Sequence, residues 1–359
     1  MKNRFLWLLI LGMALFSGCS DDDDDFFKNY SVDYSADKLD LKLNGKSFTG
    51  ASVSFSSADK ENAAVTLNGL IPGEPTLEVK NLVVTELSGK DYSFVGENKN
   101  DDRTISVEGT VKSGVLNLGT SFKVTSKVVE DWKLAPYVED SGVPVSSGLY
   151  MNIVPEADTS TIMGMPVESF VIFASSIGGQ LLPQLLTKVE LKVNGSLVAT
   201  YLDMSAEEPS VLQSPEELVR YNVKDGLLYL AIDLASLNLD FGALIDGRSE
   251  QGANGILNML VNGIPLKFDI KEEGLLVYVD QQMMLPFMDV IREMLIPMMQ
   301  NSDDLKEMVP LVYDIIRLVE KSQKIELGLH LVPYVEEVPA PAAMVLPQSV
   351  EKFMQKFAE

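Results

Sequence analysis

"KLDLKLNGKSF", Lys38 to Phe48, decides the fold class. Leu39, Leu41 and Leu43 alternate with Asp40, Lys42 and Asn44, the period of two that puts one strand face on a core and the other in water. Asn44-Gly45 follows at once. Asn-Gly between alternating runs marks a tight hairpin, because both residues tolerate the left-handed backbone such turns need. The dipeptide recurs at Asn68, Asn194, Asn254 and Asn262. Further short runs rich in strand formers occupy residues 50–56, 63–68, 76–87, 92–95, 104–111 and 115–124. That density predicts a mostly β chain with a small antiparallel sandwich or barrel near its start.

The opening pattern returns later in the chain. "KVELKVNG", Lys188 to Gly195, matches "KLDLKLNG", Lys38 to Gly45, identically at five of eight positions, with Leu/Val or Asp/Glu exchanges at the rest. "LAPYVED" (Leu134 to Asp140) is echoed by "LVPYVEE" (Leu331 to Glu337). The same order at both ends predicts two related β modules, over 31–140 and 141–338, the second with a longer interior.

Most of the extra length is a helical insert over 281–322. Its first half, "QQMMLPFMDVIREMLIPMMQ", is apolar nearly all round and holds six of the sixteen methionines, with Pro286 and Pro297 as expected kinks. Its second half is expected to start at a Ser302 cap and to turn Leu305, Met308, Val309, Val312, Ile316 and Val319 to one side. "ESFVIFASSIGGQLLPQLL", Glu168 to Leu186, reads as a strand followed by a connecting helix at about 174–187, because Gly178-Gly179 and Pro183 interrupt it. Residues 339–359 read as a proline-punctuated linker and a short closing helix.

Ahead of the first module, Lys2 and Arg4 precede twelve mostly apolar residues, Phe5 to Phe16, then Ser17-Gly18 and the only cysteine, Cys19. This is the layout of a secretory signal over 1–18, too short as a helix for the hydrocarbon core of a bilayer. The small-small-Cys ending resembles the lipobox of bacterial lipoproteins, which implies acylation of Cys19 as the site of lipid attachment. Five aspartates follow it, so 19–30 is expected to be a hydrated leash.

Counting residues closes several chemistries. With 52 acidic and 29 basic side chains, a net charge of −23, the chain lacks the cationic surface that phosphate backbones require, so no nucleic-acid partner is expected. One histidine, His330, and one cysteine allow neither a Cys/His zinc cage nor a Ser-His-Asp site beyond His330 itself, and alternation in "IELGLHL" turns His330 away from the apolar face. No phosphate-cradling glycine loop is present, and no cofactor or metal is expected. Trp132 reads as a packing residue. Tyr92, Tyr137, Tyr201 and Tyr334 are the few candidates for stacking a sugar ring. A glycosidase-like carboxylate pair is defined by spacing in three dimensions, which abundance of Asp and Glu does not supply.

With Ser17 to Cys19, the acidic leash and "KLDLKLNGKSF…VTLNGLIPGEPTLEVKNLVV…ISVEGTVKSGVLNLGTSF", the chain resembles a family of Bacteroidota lipoproteins whose β-domains are similar to lipocalin- or calycin-like barrels. The resemblance implies an outer-membrane, lipid-anchored address on the cell surface or periplasmic face, and a capacity to bind ligands. The leading expectation is a non-enzymatic binding module for a small apolar molecule or an envelope protein partner. Met284, Met288 and Met298 are its candidate ligand-lining residues, since methionine adapts to varied apolar surfaces. A structural or adhesive surface protein is the alternative, and a carboxylate-based glycan-active enzyme the third.

Overall fold

A computed structural model describes residues 27–59, 61–157, 160–204, 209–233, 259–302 and 305–336. Cys19, the signal segment and the 339–359 tail lie outside the described residues. The fold is mostly β, in two modules, with helices added to the second.

The first module uses β1 (Tyr30–Tyr34), β2 (Leu39–Leu43), β3 (Lys46–Ser47), β4 (Ser52–Ser57), β5 (Ala63–Ile71), β6 (Glu74–Val79), β7 (Val83–Glu86), β8 (Tyr92–Lys99), β9 (Arg103–Lys112) and β10 (Val115–Val124). They form a four-stranded sheet, β1-β4-β5-β6, and a six-stranded sheet, β3-β2-β10-β9-β8-β7. Pairing is antiparallel except between β2 and β10, where Leu41 lies opposite Leu118. The sheets enclose one core, in which Phe55 sits 4.9 Å from Tyr92 and 5.4 Å from Phe94 between ring centroids. The Tyr34 and Tyr92 hydroxyls, both buried, share a 2.9 Å hydrogen bond.

Three expectations need correction here. The leash assigned to 19–30 is too long. Phe27 is fully buried, its ring 5.4 Å from that of Tyr92, and β1 already starts at Tyr30, because alternating Tyr30, Val32 and Tyr34 give that segment a face to bury. Residues 76–87 are two strands. Asn81 takes φ 55° and the chain crosses there from one sheet to the other, a break foreshadowed when buried positions shift from Leu77 and Val79 to Leu82 and Val84. Tyr92 is core rather than surface.

The second module is an up-and-down barrel. Its strands are β11 (Asp131–Leu134), β17 (Leu186–Leu191), β18 (Ser196–Asp203), β20 (Val219–Lys224), β21 (Leu227–Ile232), β22 (Ile264–Lys271), β23 (Gly274–Asp280) and β24 (Lys324–Pro333). Each pairs antiparallel with the next, and β24 returns to β11 to close the ring. The hairpin β12 (Val138–Asp140) and β13 (Val143–Ser146), the strand β14 (Leu149–Val154) beside the first half of β24, the short pair β15 (Thr161–Ile162) and β16 (Met165–Pro166), and the edge strand β19 (Ser210–Gln213) are accessory. A module boundary at 140/141 therefore falls after the first barrel strand rather than before it. The echoing segments are neighbours: Leu134 of the first lies opposite Leu331 of the second.

The two similar hairpins also meet. At the first turn Asn44 and Gly45 both have positive φ, 51° and 83°. The second is a three-residue loop in which Gly195 alone is left-handed (φ 78°) and Lys192 bonds Ser196. Asn44 Nδ2 donates to Asn194 O at 2.9 Å, and Asn44 Oδ1 accepts from Phe122 N at 2.8 Å. Their sheet neighbours differ, since β2 lies beside the parallel β10 whereas β17 lies beside the antiparallel β11.

Helix α1 runs over Val167–Leu185, so the strand expected before residue 174 is helical. Val167, Phe170 and Val171 recur at helical spacing and pack on one apolar cluster, and tertiary contact outweighs their β-branched preference. Pro183 falls in the last turn, so the hydrogen bond it removes and the crowding of its ring affect only the end of the helix. In the insert, α2 (Gln281–Val290) passes through a π stretch (Ile291–Leu295) into α3 (Ile296–Gln300), which fits the missing N–H and the bulk of Pro297. α4 spans Val309–Lys321. It begins at Pro310 in its first turn rather than at Ser302, which leaves Leu305 and Met308 exposed while Val309, Ile316 and Val319 are buried.

A buried ion pair links the two sheets of the first module and is met by a side chain of the barrel. Arg103 Nε and Nη2 donate to Glu74 Oε1 and Oε2 at 2.6 Å each, with both side chains under a tenth exposed. Asn222 of the barrel, fully buried, donates to the same carboxylate at 3.1 Å and to Pro72 O at 3.0 Å. Glu74→Gln or Arg103→Met, each leaving a lone buried partner, is expected to lose about 3–5 kcal/mol in urea unfolding. The double variant should lose less than the sum of the two.

Candidate functional site: the barrel interior

Residues opposite each other on paired strands share a face. Followed around the ring, Trp132 faces Val189, Leu197 faces Val219, Tyr221 faces Leu230, Leu228 faces Leu266, Phe268 faces Val277, Val277 faces Leu329 and Leu331 faces Leu134. This apolar face is the inside, because residues from strands all round the ring join one cluster. The other face carries Lys188, Glu190, Asn222, Lys267 and Glu326. A membrane-spanning barrel has the opposite polarity. Among the described residues no helix is long and apolar enough to cross a bilayer.

The interior is covered unevenly. Trp132, Leu134, Leu191, Tyr221, Val223, Leu228, Leu275 and Leu331 are buried, with Trp132 Nε1 donating to Val128 O at 2.9 Å. Leu197, Leu230, Leu266, Phe268, Val277 and Leu329 point inward yet stay half-buried, so the inward face is apolar but less closely covered at these positions.

The helices stand at one end of the barrel. Asp280 ends β23, pairs with Lys267 at 2.5 Å and caps α2 by accepting from Met283 N at 3.0 Å, so strand and helix join without a loop. Above it Met288, Ile296, Met299, Val309, Ile316, Val319 and Ile325 form a second cluster, against which Met284, Phe287 and Leu327 pack half-buried. α1 touches both clusters, through Leu182 at the barrel and Phe170 at the roof.

Of the sequence candidates, Met288 is 5 % exposed within the roof, Met284 lies half-buried against the same cluster, and Met298 is 53 % exposed and apart from it. The inward residues of β21 to β23 were not singled out, although alternation in "IPLKFDIK" carries them. Trp132 is a packing residue.

The polar outer wall near this end holds two opposed carboxylates, Asp280 and Glu326. Glu326 accepts from Tyr150 Oη and Asn152 Nδ2 at 2.8 Å and pairs with Lys324 at 3.0 Å. Burial works to raise its pKa, and these partners outweigh it, so the carboxyl lies below its ordinary range; Asp280 behaves likewise beside Lys267. Tyr150 is pushed up to about 12 by burial and by Glu326. Neither carboxylate keeps the proton that a glycosidase's general acid must hold. His330 points away from Leu329 and Leu331 as its alternation predicts, but it is half-buried and burial lowers its pKa. Among the described residues no three acidic, His or Cys side chains converge as metal ligands. No known family, curated protein or solved structure matches the chain.

Met288→Gln is expected to lose about 1–3 kcal/mol in thermal or urea unfolding, by placing an amide in an apolar roof. Met298→Gln should stay within about 0.5 kcal/mol of the parent.

Proposed function

We propose that the protein is a non-enzymatic binding module of the bacterial cell envelope, tethered to the outer membrane through an acylated Cys19, that holds a small apolar molecule in the upper half of its barrel. The observation that carries the reading is the apolar inward face of a closed eight-stranded ring, several of whose residues are only half-buried. Such a ring has room for side chains or for one small ligand. The Met-rich roof supports it further, as flexible thioethers conform to apolar guests of different shape. A hydrocarbon wall without a charged group on the inward positions favours an uncharged or alkyl body.

A second reading, an adhesive or structural surface subunit, rests on β19. Its four residues are all exposed, Val211 at 64 % and Leu212 at 41 %, and it pairs on one side with β18. An open apolar edge of this kind can accept a strand from another chain.

Leu266→Trp separates a chamber from a filled core. In a chamber the indole occupies free space, so the melting temperature stays near that of the parent while binding of an apolar fluorescent dye falls; in a filled core it would cost about 1–3 kcal/mol. Loss of stability without any dye site in the parent would remove the proposal. Native mass spectrometry of protein from its own host, freed of the anchor, should find a small molecule bound. Cys19→Ala should abolish partitioning into detergent.

A further inference from the structure

A cavity of about 280 Å³ lies where the two hairpins meet, outside the barrel interior. Its wall combines Asn44, Phe48 and Thr49 of the first module with Ser196, Arg220 and Asp233 of the second. Arg220 is the unusual member. Its guanidinium has five N–H donors in a fixed fork. Yet Nη1 donates to Leu70 O at 2.6 Å, the group stacks 4.6 Å from the Phe48 ring centroid, and no carboxylate among the described residues comes within ion-pair distance. The nearby Lys46 is already taken up by Glu216 and Glu217. Burial destabilises the Arg220 charge, only partly offset by Asp233.

A cation held in a fixed orientation, largely out of water, with donors left over and a cavity in front of it, is what recognition of an oxyanion requires. Asp233 and Glu217 also line the space, so a second negative charge on the guest would be repelled there. Hydroxyls of Ser47, Thr49 and Ser196 offer hydrogen bonds to a polar body. The volume sits near the lower end of the roughly 300–1,000 Å³ typical of ligand pockets. We infer that this junction cleft is a second binding site, for a small hydroxylated carboxylic acid whose carboxylate is received by Arg220. Because both modules build the cleft, such a guest would also brace the sandwich against the barrel.

The test uses the full chain and three probes: gluconate, sorbitol as its uncharged match, and inorganic phosphate. Calorimetric titration should detect gluconate at millimolar affinity, with sorbitol silent and phosphate weaker. Arg220→Lys keeps the charge and loses the fork, and should weaken gluconate about tenfold. Thr49→Trp blocks the cleft from an exposed loop without touching Arg220; it should abolish gluconate binding and leave the melting temperature and apolar-dye binding unchanged. No response of the parent to gluconate, an equal response to sorbitol, preference for phosphate, or undiminished binding in both variants would each overturn the inference. Dye binding reports the barrel interior separately, so failure here does not bear on it.

Discussion

The buried Arg103–Glu74 pair with Asn222 constrains everything else in the molecule. A carboxylate and a guanidinium taken out of water together need further hydrogen bonds to offset their desolvation, and most of these are made here, although the buried Asn222 Oδ1 has no partner. Here the sandwich supplies the pair and Asn98, which accepts from Arg103 at 2.9 Å, while the barrel supplies Asn222. Separation of the modules would expose the apolar faces around this network and break the Asn222 bonds at the same time. Gly73, beside it, has φ 73°, and a Cβ there would fall 2.3 Å from the Tyr229 ring of the barrel. The turn is docked closely enough that only glycine fits. The relative setting of the modules is held by this polar network together with an apolar core that runs through both, and the cleft containing Arg220 follows from that setting.

Much of the strand content was legible because alternation survives wherever one face is buried and the other is wet, as in β2, β9 and β10. The closure of the barrel was not. "LAPYVED" and "LVPYVEE" look like two copies of one ending, and similarity in sequence carries no information on whether such segments occupy equivalent places or lie side by side. They meet only at their first residues, Leu134 opposite Leu331, and run apart from there, so their likeness does not arise from pairing with each other. Helix starts were missed for a related reason. Ser302 has the right chemistry for a cap, but Pro310 has a firmer geometric requirement, being accommodated best in a first turn.

The candidate site was legible only in its roof. Methionines at 283–299 drew attention because their density is unusual, while the inward leucines and valines of β21 to β23 are indistinguishable in sequence from a filled core. Whether an apolar face meets another side chain or empty space depends on ring diameter and on what stands over the open end. Burial decides the matter for each methionine separately. Met288 and Met299 face into the helix cluster and Met298 away from it.

The π stretch of the roof bears on how a guest could enter. The helices stand over one end of the barrel, and a guest entering there would have to pass them. A roof of regular helices, each locked by a complete ladder of hydrogen bonds, would have to lift as a unit. This roof instead carries Pro286 within α2, a π stretch at Ile291–Leu295 and Pro297 directly after it, three places where the regular ladder is interrupted. Asp280 caps α2 from the rim of the barrel, and Gln281 donates to Val319 O and Ser322 O at 2.7 and 2.8 Å, pinning the start of α2 to the end of α4. The middle is tied as well, since Arg292 of the π stretch pairs with Glu320 of α4 at 2.6 Å and Met288, Ile296 and Met299 are buried in the helix cluster. Bending the roof at its centre for the proposed apolar guest therefore requires breaking that exposed ion pair and uncovering those three side chains.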